Sequence, residues 1–170
     1  MRNRSLTPSD PTVATLFREH HGELVRLAVL MVGDLPTAED VVQDVYASLH
    51  SRWSQITARD AVLPYVRAAV LNGCRSVLRR RRLTGRIGAA HREEPADSAE
   101  SELILSEDRR AVLAALTRLP RRRREVLVLR YYLGLSEAEI AAVLGISPGT
   151  VKSTAARGLA ALARDLGEQS

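Results

Sequence analysis

The chain is 170 residues long, carries a net charge of +5, and is 45% apolar and 26% charged, a balance that fits a folded protein whose six aromatic residues leave Leu, Val and Ala to build the core. Its one cysteine, Cys74, excludes a disulfide within the chain. No apolar run reaches transmembrane length, and the opening MRNRSLTPSDPTVATLF is polar and proline-broken, so no membrane insertion, no secretory leader and a cytoplasmic location are expected.

In chain order, Phe17, Leu24, Leu27, Ala28 and Met31 recur at helical spacing until Gly33-Asp34 interrupts them. Thr37 can cap a second helix that carries Ala38, Val41, Val42, Val45 and Leu49 on one face and ends near Trp53. A third helix begins at Pro64 and turns Val66, Val70, Cys74 and Val77 inward before the run Arg79 to Arg82. Cys74 reads as a buried structural thiol. Residues 84–107, TGRIGAAHREEPADSAESELILSE, have the composition of a flexible acidic linker. Beyond it lie Leu105, Val112, Leu116 and Leu119, then Pro120 and an arginine-rich helix with Val126, Leu127 and Leu129, closed by Gly134. No stretch alternates like a strand, so the chain is expected to be all-α, in two small helical domains at 14–83 and 108–166.

The last third holds the most specific pattern. Ser136 and Glu139 have capping-box spacing, Ile140, Val143 and Leu144 form a stripe, and Gly145 ends it. Ser147 then caps a helix that starts at Pro148 and buries Val151, Ala155, Leu159, Leu162 and Leu166. Two short helices about a glycine-containing turn make a helix-turn-helix. Its outward face carries Thr150, Ser153, Arg157, Ala160 and Arg164, flanked by Lys152 and Ala156, a small, polar and basic surface that can enter a major groove. The run Arg121 to Arg124 fits phosphate contact by the preceding helix.

Charge is distributed in blocks. Residues 1–83 carry 12 basic and 8 acidic side chains, 84–107 carry 2 and 6, and 108–170 carry 11 and 6, so two modules suited to a polyanion flank a segment repelled by one. Asp40, Gln43 and Asp44 share the face of the second helix opposite its apolar stripe, a patch for a basic partner. Asn72, Arg75, Ser76 and Arg79 form a stripe on the third helix that can combine amide, hydroxyl and cationic contacts to a nucleic-acid backbone. His20, His21, His50 and His91 lack metal-ligand spacing, and there is no glycine-rich phosphate loop or nucleophile–base set, so no catalysis, cofactor or metal is expected. A stand-alone helix-turn-helix regulator would use the C-terminal half equally well but leaves the Asp40 patch and the Asn72 stripe unexplained.

The segment LPRRRREVLVLRYYLGLSEAEIAAVLGISPGTVKSTAARGLAAL resembles region 4 of bacterial sigma factors, AEDVVQDVYASLHSRW resembles the region 2 helix that docks on RNA polymerase, and PYVRAAVLNGCRSVLRRRR resembles the helix that captures the minus-ten element. Both halves, in this order, resemble an extracytoplasmic-function (ECF) sigma factor of the sigma-70 family, in its actinobacterial SigE-like group. The resemblance implies two partners, core RNA polymerase (the clamp helices of the beta-prime subunit, and the beta subunit) and promoter DNA. It makes an anti-sigma factor a candidate third. It implies polymerase docking by Asp40, Gln43 and Asp44, and minus-ten contacts by Asn72, Arg75, Ser76 and Arg79. Minus-thirty-five contacts would come from Arg124, Thr150, Lys152, Ser153, Ala156 and Arg157. The loop between Ser54 and Leu63 would hold a base flipped from the nontemplate strand, and the linker would thread the channel that later carries the transcript. Ser76 and Tyr65 depart from the broad pattern of these proteins, where Asp and Trp are common.

Overall fold

A computed structural model describes residues 12–57, 59–87 and 107–167, and every regular element among them is helical. Helix α1 spans Val13–Val32; Thr12 opens it by accepting from the Thr15 N–H, and Gly33 closes it at φ 95°, with its N–H on the Val29 carbonyl. Helix α2, Leu35–Arg52, starts earlier than Thr37. Its cap is Asp34, whose carboxylate accepts the Thr37 N–H at 2.9 Å, while Pro36 fills the first turn, where a missing donor costs nothing. Arg81 clamps this corner, donating to Asp34 at 2.7 Å, to Thr37 at 2.8 Å and to the Val32 carbonyl at 2.9 Å. Partial burial alone would raise the Asp34 carboxyl, but hydrogen bonds from Thr37 and Arg81 outweigh it and hold it below the usual carboxylate range.

Two short 3₁₀ turns, Trp53–Gln55 and Arg59–Ala61, lead into α3, Val62–Ile87, which begins two residues before Pro64 and continues into the first residues of the expected linker. The rest of that linker, 88–106, lies outside the described residues, as does Leu105. Helices α1 to α3 pack around Leu24, Leu27, Met31, Val42, Leu49, Val66 and Val70, close to the expected inward sets. Two positions differ. Leu16 is buried in place of Phe17, which is 41% exposed and stacks on His21, and Tyr46 is buried beside a half-buried Val45 because its hydroxyl reaches the Leu16 carbonyl at 3.1 Å. Trp53 is half-buried and Tyr65 is 51% exposed.

Cys74 is fully buried, and burial, aided by the nearby Glu125 carboxylate, pushes its thiol up to about 12. A folded value above the unfolded one of 9.0 means this contribution is complete below pH 9.0 and lost as pH rises toward about 12. The urea midpoint should therefore fall across that window, and Cys74→Ala should flatten part of the fall; Tyr46, also pushed up to about 12 by burial, accounts for another part. A native thiol that reacts with iodoacetamide as fast as the unfolded one would contradict this placement.

The second half comprises α4, Glu107–Arg118; α5, Arg121–Leu127, running on into a π-helical turn at Val128–Tyr132; α6, Glu137–Leu144; and α7, Pro148–Gly167. Val126, Leu129, Ile140 and Val151 form its centre. The halves are two helical units, yet they are packed together, with one apolar cluster running from α1–α3 into α5–α7. Polar contacts reinforce the junction. The buried Arg124 donates to the carbonyls of Met31 and Thr117, and to that of Leu119 at 3.3 Å; the Tyr132 hydroxyl donates to the Glu23 carbonyl at 3.1 Å; and Arg75 meets the fully buried Glu125 at 2.5 Å.

Candidate nucleic-acid and partner interfaces

The C-terminal corner is built by local hydrogen bonds. The Ser136 hydroxyl accepts the Glu139 N–H at 3.2 Å, and the Glu139 carboxylate accepts the Ser136 N–H at 2.8 Å, which fixes the start of α6. Gly145 ends α6 at φ 66°, in the left-handed region. The Ser147 hydroxyl then accepts the Thr150 N–H at 3.1 Å, and Pro148 opens α7. Helix α7 packs on α5 and α6 and buries Val151, Thr154, Ala155 and Gly158. The seam therefore lies slightly aside from the expected stripe: Leu159 is 41% exposed, and Gly158 lies under Leu127, whose side-chain carbons would be 3.1–3.4 Å from an added Cβ. A periodic reading passes over glycine as an apolar position, and here its smallness is what lets the two helices approach.

That rotation leaves Thr150, Lys152, Ser153, Ala156 and Arg157 together on the exposed face of α7. Arg157 lies along the helix, its Nε donating to the Ser153 carbonyl at 3.2 Å and its Nη2 to the Ser153 hydroxyl at 3.3 Å, so the guanidinium is held at the surface. Arg124 is placed differently from these five. Only 6% exposed, it faces backbone carbonyls, and burial and the nearby Arg82 lower its pKa, against a smaller opposing pull from Glu125.

On α3, Asn72 and Arg79 are exposed while Arg75 and Ser76 are half-buried. Arg75 bridges two partners, with Nη1 donating to the Asn72 side-chain oxygen at 2.9 Å and Nε to Glu125. These four residues line a cleft of about 1350 Å³ between α3 and the α4–α5 corner, whose walls carry eight arginines and no acidic residue. Three carboxylates pair with its arginines: Asp34 with Arg81 at 2.7 Å, Asp165 with Arg118 at 2.6 Å, and the fully buried Glu125 with Arg75 at 2.5 Å and with Arg121 and Arg122 at 3.7 and 3.5 Å. Glu125 is the residue that sequence reasoning missed. The available signal was a single acid between four consecutive arginines and an apolar run.

Asp40, Gln43 and Asp44 are all exposed on α2. Asp44 also borders a smaller cavity of about 250 Å³ between α2 and α3, where Tyr65 stands with Val41, Ser76 and Arg80. Of the 54–63 loop, position 58 lies outside the described residues; Val62 is buried and Ile56 half-buried. Among the described residues no group of His, Cys, Asp and Glu could hold a metal ion, and no helix is long and apolar enough to cross a membrane.

Comparison with known proteins places these surfaces in context. The family description "Sigma-70 region 2" matches residues 16–84, and "Sigma-70, region 4" matches residues 109–162. The ECF RNA polymerase sigma factor SigM of Mycobacterium tuberculosis is 36% identical over 155 residues, covering 89% of this chain and 76% of that protein. The RNA polymerase sigma-E factor of Streptomyces coelicolor is 34% identical over 149 residues, covering 88% and 82%. Among solved structures, the sigma factor RpoE from Bartonella quintana, in complex with the anti-sigma factor NepR, shares the fold at a TM-score of 0.71 and 22% identity, covering 91% of this chain and 96% of that one. CnrH, solved in complex with the cytosolic domain of CnrY, matches at 0.68 and 25% identity, covering 93% and 89%.

Proposed function

The chain belongs to the sigma-70 family, as an ECF RNA polymerase sigma factor that recognises promoters, and from that premise we propose how its surfaces divide the work. The observation that carries the assignment is the exposed α7 face beside a fully capped helix-turn-helix corner. In this reading Thr150, Lys152, Ser153, Ala156 and Arg157 enter the major groove at the minus-thirty-five element, where the small side chains allow close approach and Lys and Arg supply cationic donors to guanine edges and phosphates. Residues 14–83 form the polymerase-docking and minus-ten domain, 108–166 the minus-thirty-five domain, and 84–107 the tether. Asp40, Gln43 and Asp44 dock on the beta-prime clamp helices.

Strand opening then follows from binding alone. Extruding a base costs a few kcal/mol, and capture of the freed strand by Asn72, Arg75, Ser76 and Arg79, with a base held by the 54–63 loop, offsets that cost. The exposed Tyr65 at the lip of the α2–α3 cavity supports this side of the reading, since an unburied aromatic ring is a surface for stacking. RNA synthesis itself belongs to the core enzyme. An anti-sigma protein is part of the proposal as a second protein partner.

Runoff transcription tests the assignment. Core polymerase plus this chain should initiate at a defined promoter, whereas a stand-alone regulator would add no initiation of its own. In the same assay Arg157→Ala should cost about 1–3 kcal/mol at one base-pair position of the minus-thirty-five element. An equal loss on every promoter variant would make Arg157 a phosphate contact instead.

A further inference from the structure

We propose that the arginine-lined cleft between α3 and the α4–α5 corner is a binding site for a chain of linked phosphates, the anion shared by inorganic polyphosphate and nucleoside triphosphates. The protein itself balances little of the charge there. Eight guanidiniums stand in the walls and three carboxylates, Asp34, Asp165 and Glu125, pair with them, which leaves five positive charges in excess. The guanidiniums of Arg79 and Arg82 have no hydrogen bond or ion pair among the described residues, and Arg82 is close enough to Arg124 to help lower its pKa. Two further donors are idle. Nη2 of Arg75 and Nε of Arg124 are buried and have no acceptor among the described residues, and both side chains line the cleft. Leaving a buried donor bare is costly, and phosphate oxygens are the acceptors that guanidinium groups bind best.

The lining selects phosphate rather than bases. Besides its arginines it offers Asn72, Ser76 and Thr117 for hydrogen bonding and Leu78, Leu119 and Pro120 as apolar wall, with no aromatic side chain. Grooves that hold single strands combine cations for the phosphates with aromatic rings for the bases. Only the cations are present here. A volume of about 1350 Å³ exceeds the roughly 300–1,000 Å³ of an ordinary small-ligand pocket, so there is room for several linked phosphates to meet both walls at once.

The two walls belong to different halves of the chain, so the anion would bind the packed fold and not the unfolded chain, and stability would rise with its concentration. Arg75 and Arg79 stand in the same cleft. On the reading of those residues as strand contacts, linked phosphate and opened strand compete for them.

Calorimetric titration of the full chain, without polymerase or promoter, tests the site independently of the runoff assay. An ionic strength of about 0.15 M screens exposed charges beyond about 8 Å and so removes diffuse attraction. Sodium tripolyphosphate should bind with a micromolar Kd and raise the melting temperature. Orthophosphate should bind at least about a hundredfold more weakly, because it reaches fewer of the guanidiniums. Magnesium-free ATP separates the two sources: affinity within about tenfold of tripolyphosphate admits both, and weaker binding assigns the site to the inorganic chain. Arg82→Ala and Arg121→Ala, exposed residues on opposite walls, should each weaken tripolyphosphate about tenfold while melting normally without it. Arg80→Ala and Arg123→Ala remove the same charge outside the cleft and should change affinity by less than about twofold. The proposal would be overturned by no binding at this ionic strength, by equal losses in the control variants, by ATP binding more than about tenfold tighter than tripolyphosphate, or by tighter binding of an oligothymidine of the same charge.

Discussion

Replacing Asp40 and Gln43 together by alanine will weaken binding to core RNA polymerase by at least about thirtyfold and leave the melting temperature where it was. Removing one partner of a hydrogen-bonded interfacial charge pair costs roughly 2–5 kcal/mol, much of it the cost of leaving the partner's charge desolvated and unpaired. At 1.4 kcal/mol per factor of ten, the low end of that range already gives the stated loss. Stability is spared because both side chains are exposed, and no hydrogen bond or ion pair among the described residues uses either one. The carboxylate of Asp34, by contrast, is tied to Thr37 and Arg81, and its loss would be felt in folding. A fluorescence titration of labelled chain against core enzyme reads the first effect and a thermal melt the second. Unchanged affinity would remove this face from the docking surface.

Arg124→Ala will destabilise the protein by about 3 kcal/mol. Its guanidinium serves the carbonyls of Met31, Thr117 and Leu119, which belong to different halves of the chain, and each acceptor left bare in the interior costs about 1–3 kcal/mol. The loss falls short of three full penalties because removing a desolvated cation relieves part of the strain, visible in the lowered pKa that burial imposes on this group. For a chain of this size the melting temperature should drop by roughly 6–12 °C. Arg124→Lys should recover little, since an ammonium cannot fork to carbonyls on two sides. Arg123→Ala, next door and only half-buried, is the control and should shift the melt by less than about 0.5 kcal/mol. A normal melt combined with loss of duplex affinity would show that Arg124 acts on phosphate in the assembled complex.

What could be read from the chain and what could not divide by sequence separation. The capping box at Ser136 and Glu139, the Ser147–Pro148 start and the Gly145 stop each depend on residues within three positions, and all three appear as expected. The outward residues of α7 are also exposed as expected, while its buried seam turned toward Gly158 and left Leu159 outside. The start of α2 went to Asp34 rather than Thr37: both residues offer a side-chain oxygen, Asp34 accepts the Thr37 N–H with Pro36 in the first turn, and Arg81, forty-seven positions away from Asp34, ties down the corner. Arg75 and Glu125 are fifty positions apart, and Arg124 and Met31 ninety-three. No local pattern distinguishes a buried arginine in a run of four from its solvated neighbours. The contact between halves was invisible for the same reason: composition reports a linker, not where its two ends are brought.

Gly158 is buried on the side of α7 that faces Leu127, away from the exposed face proposed to read DNA, and its smallness sets how closely the helix seats. A methyl group there would press on the Leu127 side chain, so that the contact between α7 and α5 would have to give by a few tenths of an ångström, while the backbone of α7 would stiffen. On the proposed reading of α7, promoter preference can therefore change through the hidden side of the helix while every side chain of its exposed face is retained. Two relatives that share those outward residues but differ beneath them need not obey the same recognition code, and swapping only the visible letters between them would fail to transfer it.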